Sequence, residues 1–483
     1  MPKLFELSGE KFMQGLSLQS SLAMGGLFQN ALNFDPFAKF GIFKGSPVAV
    51  QKGSSVITSD IRAFVPFSDS KAKLLAMSNY AGSGKCAYLI NITDDTYTDV
   101  TSAFHTETSP GTPVLTSDCI YYKGRLLYDS ASQIRSVSTT PNDDQAVEFA
   151  STFGDFHPFH IGPDNYLYYG NQANVGKVVT ANATTSNTGQ ALTFSNTSLT
   201  VKDLTDDGIY LVIVADTNDL NIAGLTSICK VMFWDMSKSY SDYVWNIPDT
   251  YIIGVEYLDN TVYVFGYNGI YVCSAGTRPK LLASFLGDTP LRRPGSHTQI
   301  VNNGHSIIWT DGGTTGRLFA YGNPIPGKPK IFYQPYQTPN LSVAAKALVC
   351  CGSTYFTSTA SNNLYKLNDT ATLGGAELIT CPIVLPQPYT FTEAKVVLSD
   401  SLTSSQTTDL TLSTANGRTI SALSSKTSIT DPNKTELLFK PLPASDSVPY
   451  FNEFVLDLAA GAGAEVEKVE IYGEPQDPST QRI

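Results

Sequence analysis

Short apolar runs separated by turn residues recur along most of the chain. Four such runs follow one another in the same order seven times between about Arg62 and Val384. The runs are short and mostly rich in β-branched and aromatic residues, which favours strands over helices. In the second run of each repeat, comparable apolar positions are Leu75, Leu127, Tyr168, Ile213, Tyr263, Ile308 and Tyr355. Their mean spacing of about 47 residues is typical of four-stranded propeller blades.

A turn signal precedes each second run, and its Gly, Asn or Asp residues tolerate the positive φ of tight hairpins. The signals are Asp69–Lys71, Lys123–Gly124, Pro163–Asn165, Asp206–Gly208, Asp259–Asn260, Asn303–His305 and Cys351–Ser353. The sequence therefore predicts an all-β protein with a seven-bladed β-propeller over 59–385, and a generic β-sandwich is the alternative. The fourth run of the last repeat is Glu377–Thr380, and Val48–Ser59 is the candidate for an extra strand on that blade.

Regions of a different character flank the repeats. Residues 1–58 form an extended N-terminal lead segment without a steady period. Beyond a proline-containing bridge, alternating runs predict a C-terminal β-sandwich over 386–476, followed by a tail at 477–483. The lead segment carries five aromatic rings that it cannot bury by itself: Phe28, Phe34, Phe37, Phe40 and Phe43. These rings predict a docking interface for a partner, with packing on the chain's own propeller as the alternative.

Composition narrows the function classes. The chain has 483 residues, 42% of them hydrophobic and 16% charged, and a net charge of −11. Such a balance argues against a protein that coats nucleic acid, which needs a basic surface. Seven scattered cysteines without a CxxC motif indicate buried free thiols made in a reducing cytoplasm. No apolar leader and no membrane-spanning stretch are expected.

No residue set in the sequence predicts a catalytic or metal site. His157 and His160 would need a bend at Pro158 to share a metal ion. The oxygen-rich loop from Asp216 to Asn221 lacks the Gly and Glu of an EF-hand, so an ordinary turn is favoured over calcium. Asp203, Asp206 and Asp207 are interpreted in the same way. Trp309–Gly313 does not match the Asp-box of sialidase propellers. We therefore expect no enzyme activity and no cofactor.

The layout resembles that of tailed-bacteriophage virion proteins with a propeller. The likeness rests on the Gly- and Phe-rich lead GEKFMQGLSLQSSLAMGGLFQNALNFDPFAKFGIF (Gly9–Phe43), the seven-fold repeat, and the ending EIYGEP (Glu470–Pro475). It implies a structural component of the tail or neck, nozzle-like or associated with the tail hub, synthesised in the host cytoplasm.

Expected partners are portal, adaptor or tail proteins and further copies of the chain in a ring, with passing contact to viral DNA. The alternative is a receptor- or glycan-binding module of the tail, which would present a concave Trp/Tyr-lined site on one propeller face.

Overall fold

A computed structural model defines the fold and divides the chain into two compact units. It describes residues 2–13, 28–32, 42–45, 50–52, 61–66, 73–78, 87–100, 118–130, 133–138, 146–149, 157–181, 187–217, 227–284, 300–310, 317–323, 330–337, 345–351, 353–358, 364–367, 375–421, 423–442 and 448–476. The repeat unit comprises Val50–Arg317 and Thr338–Lys366. The terminal unit comprises Met1–Ala49, Leu318–Gln337 and Leu367–Ile483.

The N-terminal region contributes three short strands and one 3-10 helix. They are β1 (Lys3–Ser8), the 3-10 helix Gly9–Met13, β2 (Phe28–Leu32) and β3 (Val50–Lys52).

Seven four-stranded antiparallel sheets follow, six of them built from four consecutive strands. These six contain β4 (Ile61–Pro66), β5 (Lys73–Ser78), β6 (Ala87–Asn91) and β7 (Tyr97–Asp99); β8 (Cys119–Tyr122), β9 (Arg125–Ser130), β10 (Gln133–Ser138) and β11 (Ala146–Phe149); β12 (Phe159–Ile161), β13 (Leu167–Asn171), β14 (Asn174–Val178) and β15 (Thr188–Thr193); β16 (Thr200–Asp206), β17 (Leu211–Asp216), β18 (Cys229–Trp234) and β19 (Tyr243–Ile247); β20 (Ile252–Leu258), β21 (Thr261–Gly266), β22 (Gly269–Ser274) and β23 (Thr277–Ser284); β24 (Ile300–Asn302), β25 (Ser306–Thr310), β26 (Arg317–Gly322) and β27 (Ile331–Gln337). The seventh sheet joins β28 (Ala345–Cys351), β29 (Ser353–Ser358) and β30 (Leu364–Lys366) to β3.

The arrangement is that of an all-β protein with a β-propeller, as the sequence predicts. Every predicted anchor, from Leu75 to Tyr355, lies in the second strand of one sheet. The first strands contact one another in succession, and the last contacts the first: β4, β8, β12, β16, β20, β24, β28 and again β4. The first strands therefore form a closed cycle.

The hairpin turns confirm the sequence signals wherever the structure describes them. Lys123 and Gly124 have φ of 47° and 81°, and Asp259 and Asn260 have φ of 49° and 60°. Gly208 and Gly304 have φ of 86° and 93°, where a glycine avoids the steric cost of a side chain. The turn residues at 69–71 and Gly352, the central residue of the last predicted turn, lie outside the described residues.

The described residues of the terminal unit form a ten-stranded sheet around an apolar core, and the unit also includes β26, except for Arg317, and β27 of the sixth four-stranded sheet. Its remaining strands are β31 (Ala376–Thr380), β32 (Ile383–Leu398), β33 (Thr407–Ser413), β34 (Thr419–Ser421), β35 (Lys426–Thr427), β36 (Glu436–Phe439), β37 (Phe451–Gly461) and β38 (Val466–Pro475). The main path runs β1-β38-β32-β37-β31-β2, while β33 pairs with β37 and β36 pairs with β32. The first and last strands of the chain are thus direct neighbours.

The N-terminal lead forms part of this core, which corrects the expectation of a docking interface at these rings. Phe28 and Phe43 are fully buried beside Phe12 among the terminal strands, so these two rings are not an exposed docking surface. The strand β2, which carries Phe28, also contacts β27 of the sixth sheet. Phe43 also exchanges backbone hydrogen bonds of 2.9 Å with Val466. Phe34, Phe37 and Phe40 lie outside the described residues.

The domain boundaries also differ from those predicted. The run Glu377–Thr380, expected to be a fourth propeller strand, belongs to β31 and pairs with β2 and β37. The fourth position in that sheet is taken by β3, which pairs with β30 from Val50 to Lys52. The sequence therefore identified the closing segment, which is the fourth strand of its sheet rather than an additional one.

Candidate functional site in the repeat unit

Carboxylates near the first strands accept hydrogen bonds from the backbone of a neighbouring sheet. The Oδ2 atom of Asp203, on β16, accepts from Val255 N on β20 at 2.8 Å. The Oδ2 atom of Asp118, just before β8, accepts from Phe159 N on β12 at 2.8 Å. Each carboxylate therefore satisfies an N–H group at a junction between sheets, which would be costly to bury unpaired.

A second layer of acids lies at the ends of second strands. Asp216 ends β17, and its Oδ2 atom accepts from Ile252 N at 3.0 Å. Its Oδ1 atom lies 3.3 Å from the Nζ of Lys202, and both side chains are almost completely buried. Asp129, the last but one residue of β9, accepts from Asp118 N at 3.2 Å. Asp216 therefore links two sheets, whereas Asp129 bonds at the edge of its own sheet.

A glycine permits one of these junctions. A Cβ atom at Gly254 would lie 2.8 Å from the Asp203 Oδ2 atom and 2.8 Å from the Cδ1 atom of Ile300. Real Cβ atoms do not approach other atoms so closely, so a side chain here would displace the end of the Asp203 or the Ile300 side chain. Glycine at 254 therefore lets the backbone of β20 lie close to the carboxylate.

Burial near this junction also raises the pKa of two acids, Asp203 and Glu256. Burial raises the pKa of Asp203 to about 7, although the N–H groups of Val255 and Leu204 oppose the shift. Burial, and then the charge of Asp203, raises the pKa of Glu256 to about 8. Both side chains retain some accessible surface. Such groups exchange protons near neutrality, but Asp203 is already occupied in bonding the backbone.

The predicted histidine and acid motifs have structural roles. His157 is buried with its Nδ1 atom 2.8 Å from the carbonyl oxygen of Gly170, while the Nε2 atom of His160 lies 2.7 Å from Asp206. The two histidines therefore bond to separate partners. Within the described ranges, no group of three or more His, Cys, Asp and Glu residues could hold a metal ion.

Other candidates from the sequence have separate outcomes. The loop residues Asn218 to Asn221 lie outside the described residues, as do Asp311 to Gly313. Cys119, Cys229 and Cys273 are buried thiols, and burial raises the pKa of Cys229 and of Cys273 to about 12. The described part of the chain contains no helix long and apolar enough to cross a membrane.

A second feature is an aromatic patch on the outer strands β19 and β23, which contact each other. We define the outer aromatic patch as Tyr210, Tyr243, Trp245 and Arg278. The rings of Tyr210 and Tyr243 lie 5.9 Å apart, and Tyr243 is 38% exposed. The guanidinium of Arg278 lies 5.8 Å from the centroid of the Trp245 ring. This surface combines partly exposed rings with a cation.

Sequence reasoning missed the carboxylate junctions. A signal exists, because a fully buried polar residue lies at the end of the second strand, or one residue before it, in several repeats: Asp129, Asn171, Asp216 and Thr310. A buried polar residue at the same place in successive repeats indicates a repeated hydrogen-bonding role.

Comparisons with known proteins find weak structural likenesses and no family for this chain. No protein family and no curated protein matches the chain. The structure described as the Dos1 propeller is 12% identical, with a TM-score of 0.43, covering 67% of this chain and 95% of the other. The computationally designed Ika8 protein is 11% identical, with a TM-score of 0.39, covering 67% of this chain and all of the other. At such identities and scores neither likeness supports a functional argument.

Proposed function

We propose that this chain is a non-enzymatic structural component of a tailed-bacteriophage virion, present in several copies in the tail or neck. The observation that carries the proposal is the use of the buried acids of the repeat unit. Asp118, Asp203 and Asp216 each bond a backbone N–H of a neighbouring sheet. Acids used in this way rigidify a scaffold, whereas a catalytic acid must be available to a substrate.

The resemblance of Gly9–Phe43 and Glu470–Pro475 to phage proteins supplies the virion context. The proposed partners of this chain are portal, adaptor or tail proteins and other copies of the chain. The terminal unit supports assembly because several large apolar side chains are exposed on it: Val384, Ile429, Leu438, Leu442 and Tyr450. Exposed apolar groups of this kind are common at protein–protein interfaces.

The test is to localise the chain in particles. Antibodies raised against the purified full chain should label the tail or neck of virions in negative-stain images, and mass spectrometry should find the chain in washed particles. Particles that contain no trace of the chain, although infected cells synthesise it, would refute the proposal.

We further propose that the seven sheets are the blades of one seven-bladed ring and that the terminal strands fold as a two-layer sandwich. The closed cycle of first strands supports the count of seven. The sandwich is supported by β37, which pairs with β32 on one side and with β31 and β33 elsewhere along its length. A cryo-EM map of the full chain would count the blades and separate the layers.

The alternative function is recognition of a host glycan or receptor, and the outer aromatic patch favours it. Aromatic rings beside charged and amide groups are suited to sugar rings. Tyr243→Ser and Arg278→Ala should then abolish binding to host cells without changing the melting temperature. Unchanged binding would exclude this patch as the receptor site.

A further inference from the structure

The strand β36 lies at the edge of its sheet and has a regular inside–outside pattern. Among the described residues it pairs with β32 alone. Leu437 and Phe439 are buried in the core, whereas Leu438 between them is 46% exposed. Glu436 and Lys440, two residues to either side of Leu438, are also exposed. The solvent-facing side of this edge strand therefore carries an acid, a leucine and a base in that order.

Alternate residues of β36 direct their backbone N–H and C=O groups away from the sheet. Leu398 N on the β32 side donates to the Thr435 carbonyl at 2.8 Å, so Thr435 belongs to a hydrogen-bonded pair. In an antiparallel ladder such pairs alternate, which directs the bonding groups of Leu437 and Phe439 towards β32. The N–H and C=O groups of Glu436 and Leu438 are consequently directed to the outer edge. An edge with these groups can accept another strand.

We propose that two copies of this chain associate edge to edge through β36, antiparallel and centred on Leu438. In that register Leu438 faces Leu438 of the second copy, and Glu436 faces Lys440 twice, once on each side of the two-fold axis. The residues brought opposite each other are those whose backbone groups point outward, so they can exchange both N–H···O bonds. The inference is independent of the proposed virion role.

A second copy is the best match for this edge because the strand is complementary to itself. A two-fold contact uses the same patch on both partners, and equal spacing of opposite charges about a central leucine meets that requirement. Opposite charges placed directly across an antiparallel pair stabilise it, and like charges destabilise it. Leu437 of one copy would also lie opposite Phe439 of the other, which continues the apolar inner layer across the contact.

The test exchanges charges between copies of the full chain and measures mass by analytical ultracentrifugation. Lys440→Glu makes both outer positions acidic, and Glu436→Lys makes both basic. Each variant alone should self-associate roughly tenfold more weakly than wild type, because two like-charge pairs form at once. An equimolar mixture of the two variants should recover association, and added salt should weaken it.

Controls separate pairing from misfolding. Glu467→Lys makes the same charge change at an exposed residue of β38, a strand that does not pair with β36, and it should leave association unchanged. Thermal melts report whether each variant folds. Because the Nζ atom of Lys395 lies 2.8 Å from the Glu436 carboxylate, Glu436→Lys should lower the melting temperature of the chain itself. If that variant does not fold, Leu438→Lys places two lysines on the axis instead and should also prevent pairing.

Two outcomes would overturn the proposal. A wild-type chain that remains monomeric at all accessible concentrations has no such contact. Charge variants that associate as tightly as wild type, with no gain on mixing, would assign any observed association to another surface.

Discussion

The two units stabilise buried or partly buried acids by different means. In the terminal unit, Glu470 lies 2.7 Å from the Nζ of Lys468 and also contacts Lys3, and this pairing lowers its pKa to about 2. In the repeat unit, Asp203 bonds backbone N–H groups, and burial raises its pKa to about 7. Lysines therefore keep Glu470 charged, whereas Asp203 is bonded by peptide N–H groups in a place from which water is largely removed.

The contributions of these two acids to the stability of the fold should therefore change with pH in opposite directions. An acid with a lowered pKa stabilises the fold above its ordinary pKa, and that contribution is lost on acidification. An acid with a raised pKa makes the fold less stable as pH rises through the range between the two values. The division is not absolute, since burial also raises the pKa of Asp457 in the terminal unit to about 6.

The largest expected effect comes from the lead segment. Phe43→Ala should lower the free energy of unfolding by about 3–5 kcal/mol, because it leaves a cavity in a fully buried site of the terminal core. Urea denaturation of the full chain measures the change, and Ile429→Ala is the exposed control. A change below about 1 kcal/mol would mean that the lead does not belong to this core.

The next effect concerns the close approach of β20 to Asp203. Gly254→Ala should destabilise the chain by roughly 1–3 kcal/mol, since the new methyl group meets both the carboxylate and Ile300. Gly276→Ala is the matched control, because nothing lies within 4 Å of a Cβ atom there. Equal melting temperatures for the two variants would contradict the described junction.

The repeat unit provides the next test, through its pH dependence. Asp203→Asn should flatten the decline of stability that we expect for wild type between about pH 4 and pH 8, by roughly 1–2 kcal/mol over that range. Asn has a single acceptor oxygen for the N–H groups of Val255 and Leu204, so the variant should lose some stability at every pH, and the slope with pH is the quantity to compare. Melting temperatures at several pH values check this. A parallel decline in wild type and variant would show that Asp203 does not titrate in this range.

The smallest effect should come from the terminal unit. Glu470→Gln should reduce the loss of stability on acidification from about pH 4.5 towards pH 2, the range between its ordinary and folded pKa. The effect is limited because the lysines around Glu470 are partly exposed and screened by solvent. Acid titration of the folded fraction measures it. If the variant lost stability at the same pH as wild type, the lysine pairing would have no measurable role.

The sequence predicted the local features of the fold well. Hairpins depend on neighbouring residues, so turn signals such as Lys123–Gly124 and Asp259–Asn260 could be recognised directly. The second-strand anchors were predictable for the same reason, because strand periodicity is local. Val50–Lys52 was identified because a ring of sheets needs a closing strand.

Long-range pairing could not be predicted in the same way. The run Glu377–Thr380 has the composition of a propeller strand, and only its partners β2 and β37 place it in the terminal unit. The rings of Phe28 and Phe43 looked exposed because the strands that bury them lie at the other end of the chain. The role of Asp203 depends on an N–H group of Val255, which no local pattern reveals.

The pairing of β3 with β30 has a consequence for the order of events during synthesis. Val50 leaves the ribosome about 300 residues before its partner Lys366, so this sheet can close only after Lys366 has been synthesised. In the same way β1 must wait for β38, the strand with which it pairs. Nascent chains must therefore keep these early strands unpaired while intervening sheets form, which is a period of exposure to aggregation or to chaperones. Once both pairings are made, neither β1 nor β3 can be released without breaking a sheet.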